Sequence, residues 1–126
     1  LVFQILIAGT AELLAEALVL GESAGVEREK LLEAINASAI GSPFVAYKSP
    51  PLLRDDYSAT FTTALMLKDV DLVLALAEEH GVSLPFARHA RMLLEATADS
   101  GHADEDFMAL YLHLRDRAAE PSPSTA

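Results

Sequence analysis

The residues most capable of chemistry are Lys68 and Asp69, which lie in the apolar stretch Leu65–Leu74. On a helix the neighbours of a residue are three and four positions away, and for Asp69 these are all apolar: Leu65, Met66, Leu72 and Val73. A carboxylate in such a place needs a hydrogen-bond partner or a cation from another element. Lys68 lies at the edge of the same face, where its stem can cover apolar surface while its ammonium extends into a cleft.

A purely structural interpretation of these charges stays open on helix geometry alone. Lys68 would then pair with Asp71 on the solvated surface, and Asp69 would bond nearby backbone. Structural charge pairs outnumber functional ones, so this interpretation has the larger weight until other features are considered.

Other common types of site are not expected. The four histidines never fall three or four residues apart, and cysteine is absent, so we expect no metal site. Gly21 and Gly25 lack the spacing of a phosphate loop and follow a helical segment rather than a strand. No serine lies in a nucleophile elbow. Taken alone, the chain contains no complete active site.

Composition excludes several classes of protein. Apolar residues make up 52% of the 126 residues, which is typical of a well-buried globular domain. The net charge of −10 would repel phosphate backbones, so we expect no nucleic-acid partner. The absence of cysteine fits a cytoplasmic location.

The apolar segment Leu1–Leu20 raises the question of a membrane span. Glu12 and Glu16 argue against one, because two carboxylates would be costly in lipid. Four residues apart, they share one helix face, which we expect to be solvated. The chain begins at Leu1 within a helical pattern and without an initiator Met, which suggests a fragment of something longer.

Glycine and proline separate segments that all have helical period, which predicts an all-α fold of about six helices without a sheet. The expected helices are Leu1–Leu20, Glu27–Ser38, Pro43–Lys48, Phe61–His80, Pro85–Ser100 and Asp104 to Ala118 or Ala119. Ser42, Thr60 or Ser58, and Asp104 are the expected N-caps, and Pro50-Pro51 should end the third helix. Residues 1–119 form one domain, and 120–126 form a Pro/Ser tail that we expect to be disordered.

Several separated features, in this order, resemble the 3-hydroxyisobutyrate dehydrogenase (β-hydroxyacid dehydrogenase) family. They are the long apolar helix from Leu1-Val2, Ala15-Glu16-Ala17-Leu18 with Ala24-Gly25-Val26, the Gly41-Ser42 turn, Phe61–Pro85 around Lys68-Asp69, and Gly101–Phe107. The resemblance covers about residues 1–118. The wider group includes tartronate semialdehyde and glyoxylate/succinic semialdehyde reductases and, more distantly, 6-phosphogluconate dehydrogenases.

The resemblance implies a helical bundle like the C-terminal domain of 6-phosphogluconate dehydrogenase. An N-terminal Rossmann domain, not contained in this chain, would bind NAD or NADP, and the helical domain would close the substrate cleft and form a homodimer. The family's general acid/base lysine would fall just before Leu1. Its asparagine one turn later corresponds to Gln4, which keeps the amide and adds one methylene.

Three further positions receive roles from the same resemblance. Lys68 matches a lysine that reaches the cofactor, Phe61 matches an aromatic residue near the substrate pocket, and Asp69 is expected to orient Lys68 or tie helices together. The implied activity is an NAD(P)-dependent interconversion of a small 3-hydroxy acid and its semialdehyde or keto form, with the chain inactive by itself. An imine reductase of the same architecture and a non-catalytic helical dimerisation or interaction module remain as alternatives.

Overall fold

The computed structural model describes residues 1–120 and contains six α-helices, which confirms the all-α prediction. The helices are α1 (Phe3–Ser23), α2 (Arg28–Ala37), α3 (Pro43–Leu53), α4 (Thr63–Glu79), α5 (Pro85–Thr97) and α6 (Leu110–Ala118). A π-helical turn, Ala98–His102, follows α5, and a 3₁₀ turn, Phe107–Ala109, precedes α6. Of the tail predicted for residues 120–126, residues 121–126 lie outside the described residues.

The first helix, α1, is the centre of the bundle and contacts α2, α4, α5 and α6. Ala8, Ala11 and Ala15 are almost fully buried, and their small side chains let neighbouring helices approach closely. Within the described part of the chain, α1 is also the one helix long and apolar enough to cross a bilayer, a criterion that core helices of globular domains also meet. The central position predicted from its apolar character is confirmed.

Glycines end helices where the sequence indicates, but two N-caps differ from expectation. Ser42 caps α3 as predicted, with its hydroxyl accepting from the Val45 amide at 3.2 Å. The cap of α4 is Thr62 rather than Thr60 or Ser58, because the Thr60 and Ser58 hydroxyls bond to Asp106 and Asp56 instead. The last helical segment is capped by Asp106, not by the exposed Asp104.

The prediction that Pro50-Pro51 ends the third helix is wrong, since α3 continues to Leu53. A proline removes one amide donor and crowds the carbonyl four residues earlier. Here those carbonyls belong to Ala46 and Tyr47, which are exposed and can be solvated. Burial of Leu52 in the core favours the last turn, and tertiary packing of this kind overrides the local preference.

The prediction of a solvated face for both Glu12 and Glu16 is wrong for Glu12. Glu16 is exposed, but α5 packs over Glu12 and leaves it 1% exposed. Nδ1 of His89 lies 2.7 Å from Oε1 of Glu12 and forms an ion pair with it when the imidazole is protonated. Neither carboxylate oxygen of Glu12 has an aligned hydrogen-bond donor within the described residues.

Replacing Glu12 should change how stability depends on pH. Burial raises the pKa of Glu12, and the contact with His89 opposes the rise in part. A raised pKa means that the folded state holds the proton more tightly than the unfolded one, so this carboxyl lowers stability at neutral pH and not below about pH 4. We expect Glu12→Gln to raise Tm near neutral pH and to have a smaller effect near about pH 4.

Thermal melts followed by circular dichroism measure this effect. Glu16→Gln is the matched control, because Glu16 is exposed on the same helix and its neutralisation should change Tm little at either pH. A lower Tm for Glu12→Gln near neutral pH would show that the contact with His89 outweighs the cost of burial.

Candidate functional site

An open groove of about 260 Å³ lies where the first turns of α1 approach α3 and the segment before α4. Two of the predicted site residues, Gln4 and Phe61, line it together. The other lining residues come from α1, α3, the segment before α4, α4 and the 3₁₀ turn and are mostly apolar: Ile7, Phe44, Tyr47, Lys48, Thr60, Met66 and Phe107. The fold therefore brings residues far apart in sequence to one concave surface.

Gln4 and Asp69 form a direct hydrogen bond between α1 and α4. Nε2 of Gln4 donates to Oδ2 of Asp69 at 2.7 Å, and both side chains are half-buried. The carboxylate thus has a partner from another element, as its apolar surroundings require. Asp69 is expected to orient Lys68 or to tie helices together, and its hydrogen bond with Gln4 joins α1 to α4. The carbonyl oxygen of Gln4 makes no hydrogen bond with the described residues and remains available to a ligand.

Lys68 is exposed on α4 and makes no ion pair with any residue from 1 to 120. The pairing of Lys68 with Asp71 considered above is not found. Asp71 instead bonds Arg91 on α5, which also pairs with Glu95. The ammonium of Lys68 is therefore a free cation among the described residues, on a chain whose net charge is −10. Lys68 precedes Asp69 on α4 but is not one of the residues that line the groove.

Sequence reasoning missed an ion pair at the back of the groove. Lys48 and Asp106 are 5% and 4% exposed, and Nζ of Lys48 lies 3.1 and 3.0 Å from the two carboxylate oxygens. A third helix that ends before Pro50-Pro51, as the sequence predicts, would leave Lys48 at a helix terminus, where burial is not expected. An acid directly before the apolar run Phe107–Tyr111 was a signal that Asp106 would be buried.

Aromatic rings form the walls of the groove around this pair. The rings of Phe44 and Phe107 stack with centroids 6.2 Å apart, and Phe61 meets Phe107 edge-on at 6.4 Å. Both arrangements are favourable for aromatic quadrupoles. The groove suits a small molecule with an apolar body and one polar group that can bond the amide of Gln4.

No group of three or more His, Asp or Glu side chains within residues 1–120 is arranged to hold a metal ion. The cation that lines the groove is Lys48, and the other polar side chains of its lining carry an amide and hydroxyls. The site therefore offers contacts for an organic ligand rather than a ligand set for a metal.

The hydrogen bond between Gln4 and Asp69 should couple the two positions energetically. We expect Gln4→Ala and Asp69→Ala each to lower the free energy of unfolding, and the double variant to lose about 1 kcal/mol less than the sum. Urea unfolding followed by circular dichroism measures the cycle. Asp71→Ala combined with Gln4→Ala is the control, since Asp71 bonds α5 and its effect should add independently. Additive losses for Gln4 and Asp69 would show that their bond contributes nothing.

Comparison with known proteins is consistent with this architecture. Residues 1–114 match the family model described as NAD-binding of NADP-dependent 3-hydroxyisobutyrate dehydrogenase. Among curated relatives, glyoxylate/succinic semialdehyde reductase 2 of Arabidopsis thaliana is 32% identical over 80% of this chain and 28% of its own length. A probable 3-hydroxyisobutyrate dehydrogenase of Mycobacterium tuberculosis is 32% identical over 83% of this chain and 38% of its own length.

Solved structures share the fold. The 3-hydroxyisobutyrate dehydrogenase of Salmonella typhimurium superposes with a TM-score of 0.84 at 22% identity, covering 89% of this chain and 39% of that protein. The Mycobacterium tuberculosis enzyme, solved with L-serine, gives a TM-score of 0.79 at 29% identity over 89% of this chain and 40% of that protein. The chain spans about a third of the length of the curated relatives it matches. The extent of the family match shows that this chain belongs to the NAD-binding family of NADP-dependent 3-hydroxyisobutyrate dehydrogenase.

Proposed function

We propose that this chain is the substrate-cleft domain of an NAD(P)-dependent oxidoreductase that interconverts a small 3-hydroxy acid and its semialdehyde or keto form. The observation that carries the proposal is the groove in which Gln4 and Phe61 meet, with Gln4 bonded to Asp69 on α4. Asp69 directly follows Lys68, which is exposed and has no ion-pair partner among the described residues. The relatives named as dehydrogenases and semialdehyde reductases support a redox activity for the protein that contains this domain.

Lys68 is the residue of this chain that we assign to the cofactor. The nicotinamide group, when bound, supplies the hydride that the reaction transfers. A dinucleotide carries phosphate charge, which the net charge of −10 would repel. An exposed ammonium without an ion-pair partner among the described residues supplies the local attraction that such a ligand needs.

Gln4 and Phe61 are assigned to the substrate. The side-chain nitrogen of Gln4 donates to Asp69, so the side-chain carbonyl oxygen of Gln4 is free to accept a hydrogen bond. We assign that bond to a hydroxyl group of the substrate or of a hydrated aldehyde. Phe61 packs against the carbon skeleton and helps exclude water from it. The general acid/base lysine implied by the family would come from the residue before Leu1, one helical turn from Gln4.

A groove of about 260 Å³ is suited to a small carbonyl or hydroxy compound. Relatives of the chain are named for glyoxylate and succinic semialdehyde, for 3-hydroxyisobutyrate and for L-threonate. We infer a substrate in this range of size. Imine reduction is a second candidate, favoured by the longer amide at position 4, which places its polar contact one methylene further into the groove.

We also propose that the domain forms a homodimer through α1. Leu6, Leu13 and Leu20 are spaced seven residues apart on one face of α1 and are 63%, 58% and 73% exposed. A seven-residue apolar repeat is typical of a helix that packs against another helix, and twofold dimers are the commonest way to cover such a surface. The same surface supports the alternative of a non-catalytic dimerisation module, which would show no redox activity.

The test of this function joins the chain to a nicotinamide-binding domain and varies Lys68. We expect the joined protein to reduce NADP or NAD with a 3-hydroxy acid such as 3-hydroxyisobutyrate, and to oxidise the reduced cofactor with the matching semialdehyde. The chain by itself should give no turnover. Lys68→Ala should raise the cofactor KM by about tenfold, the loss of one charge-assisted contact, with little change in Tm. Absorbance at the reduced nicotinamide band measures the rates.

Lys30→Ala is the matched control, because Lys30 is an exposed lysine on α2 outside the groove. It should leave the cofactor KM unchanged. A joined protein without turnover on any aldehyde would contradict the dehydrogenase proposal, and turnover of cyclic imines alone would favour imine reduction. An unchanged cofactor KM for Lys68→Ala together with a large loss of Tm would assign Lys68 a structural role.

A further inference from the structure

The ammonium of Lys48 lies at the back of the groove with all of its hydrogen-bonding capacity used inside the protein. A lysine has three N–H donors. The acceptors are Oδ1 and Oδ2 of Asp106, at 3.1 and 3.0 Å, and the hydroxyl of Thr60 at 3.3 Å. Lys48 therefore has no donor left for a ligand, although it lines the groove. Any effect of Lys48 on a ligand must act through the residues that it holds.

The partner carboxylate, Asp106, connects three separate parts of the chain. Oδ1 accepts from the amide and hydroxyl of Thr60, at 3.2 and 3.0 Å, and from the amide of Phe61 at 3.4 Å. Oδ2 accepts from the amide of Met108 at 3.0 Å. Through Lys48 the same carboxylate is tied to α3. The pair thus joins α3, the segment before α4 and the 3₁₀ turn.

Each of these three parts contributes one aromatic wall of the groove. Phe44 comes from α3, Phe61 from the segment before α4, and Phe107 from the 3₁₀ turn. The amide of Phe61 bonds Asp106, and its carbonyl accepts from the amide of Phe107 at 3.0 Å. The separation of the rings therefore depends on the carboxylate that holds the backbone behind them.

We propose that Lys48 and Asp106 are positioning residues that fix Phe61 against Phe107 and so set the width of the groove and the size of substrate that it accepts. The statement about substrate size rests on the proposed function, whereas the statement about ring position does not. A buried ion pair gives little stability over apolar residues of similar volume, but it holds its partners at defined distances. Fixed distances of this kind suit an aromatic wall of the groove, where the position of the ring decides which ligands fit.

The neutral double variant Lys48→Met/Asp106→Leu tests the ring position, because leucine leaves no side-chain oxygen to accept from the amides of Thr60 and Phe61. It avoids an uncompensated buried charge, which would make either single change strongly destabilising, and therefore keeps a folded protein to measure. In the chain labelled with ¹³C at phenylalanine, we expect the nuclear Overhauser effects between the Phe61 and Phe107 rings to fall by about half or more, because the ring is no longer held by its backbone. The contact of the Phe86 ring with Gly9, which joins α5 to α1 away from the groove, is the internal reference.

Arg28→Met is the matched control. Arg28 is another part-buried cation that bonds a carboxylate, Glu22, and the carbonyl of Leu52, but it does not line the groove. We expect it to leave the contact between Phe61 and Phe107 as in the wild type. If the double variant also keeps the wild-type contact, Lys48 and Asp106 do not position Phe61 and the proposal is overturned.

Enzyme kinetics test the statement about substrate size, which depends on the proposed function, separately from the statement about ring position. In the joined protein, the double variant should raise substrate KM about tenfold with a smaller change in kcat, and add nothing further in a Phe61→Ala background. If the double variant raises substrate KM by the same factor in the wild-type protein and in the Phe61→Ala protein, the ion pair does not set substrate size through Phe61, and that part of the proposal is overturned. A wild-type protein without turnover would contradict the proposed function, and the ring contacts would still decide the positioning role.

Discussion

The buried carboxylate of Asp106 is the interaction on which the candidate site depends. It receives the ammonium of Lys48 from α3, the backbone amides of Thr60 and Phe61 from the segment before α4, and that of Met108 from the 3₁₀ turn. Backbone hydrogen bonds also join the last two segments, among them the amides of Asp106 and Phe107 to the carbonyls of Tyr57 and Phe61, at 2.9 and 3.0 Å. The carboxylate adds the ion pair that ties α3 to both. Without the carboxylate, several buried donors would lose their acceptor, and each would carry the cost of an unmet hydrogen bond.

The rest of the molecule positions the polar groups around that centre. The central helix α1 carries Gln4 on its first turn and fixes it to α4 through Asp69 at 2.7 Å. Lys68 is the residue before Asp69 on the same helix, α4, and is exposed outside the groove. The hydrogen bond between Gln4 and Asp69 therefore fixes α1 to α4 at one side of the groove.

Much of this architecture is visible in the sequence, since helical period and the glycines at 25 and 81 locate the helices. The ordered motifs around Lys68 and Phe107 indicate the family. The burial of Glu12, Lys48 and Asp106 is not visible, because each depends on a segment distant in sequence. Local rules also failed for Pro50-Pro51, where packing of Leu52 outweighs the loss of two amide donors. Sequence patterns predict which face of a helix is apolar, but not which charge another element will cover.

Amide hydrogen exchange tests the central role of Asp106 most directly. The amides of Thr60 and Met108 donate to its two oxygens, so both should be protected in the wild-type chain. They should exchange at least about tenfold faster in Lys48→Met/Asp106→Leu, which removes both acceptor oxygens without leaving the ammonium of Lys48 buried and unpaired. Amides in the middle of α1, such as that of Ala11, should keep their protection, because the carboxylate does not hold that helix. Unchanged exchange at Thr60 and Met108 in the variant would contradict the account.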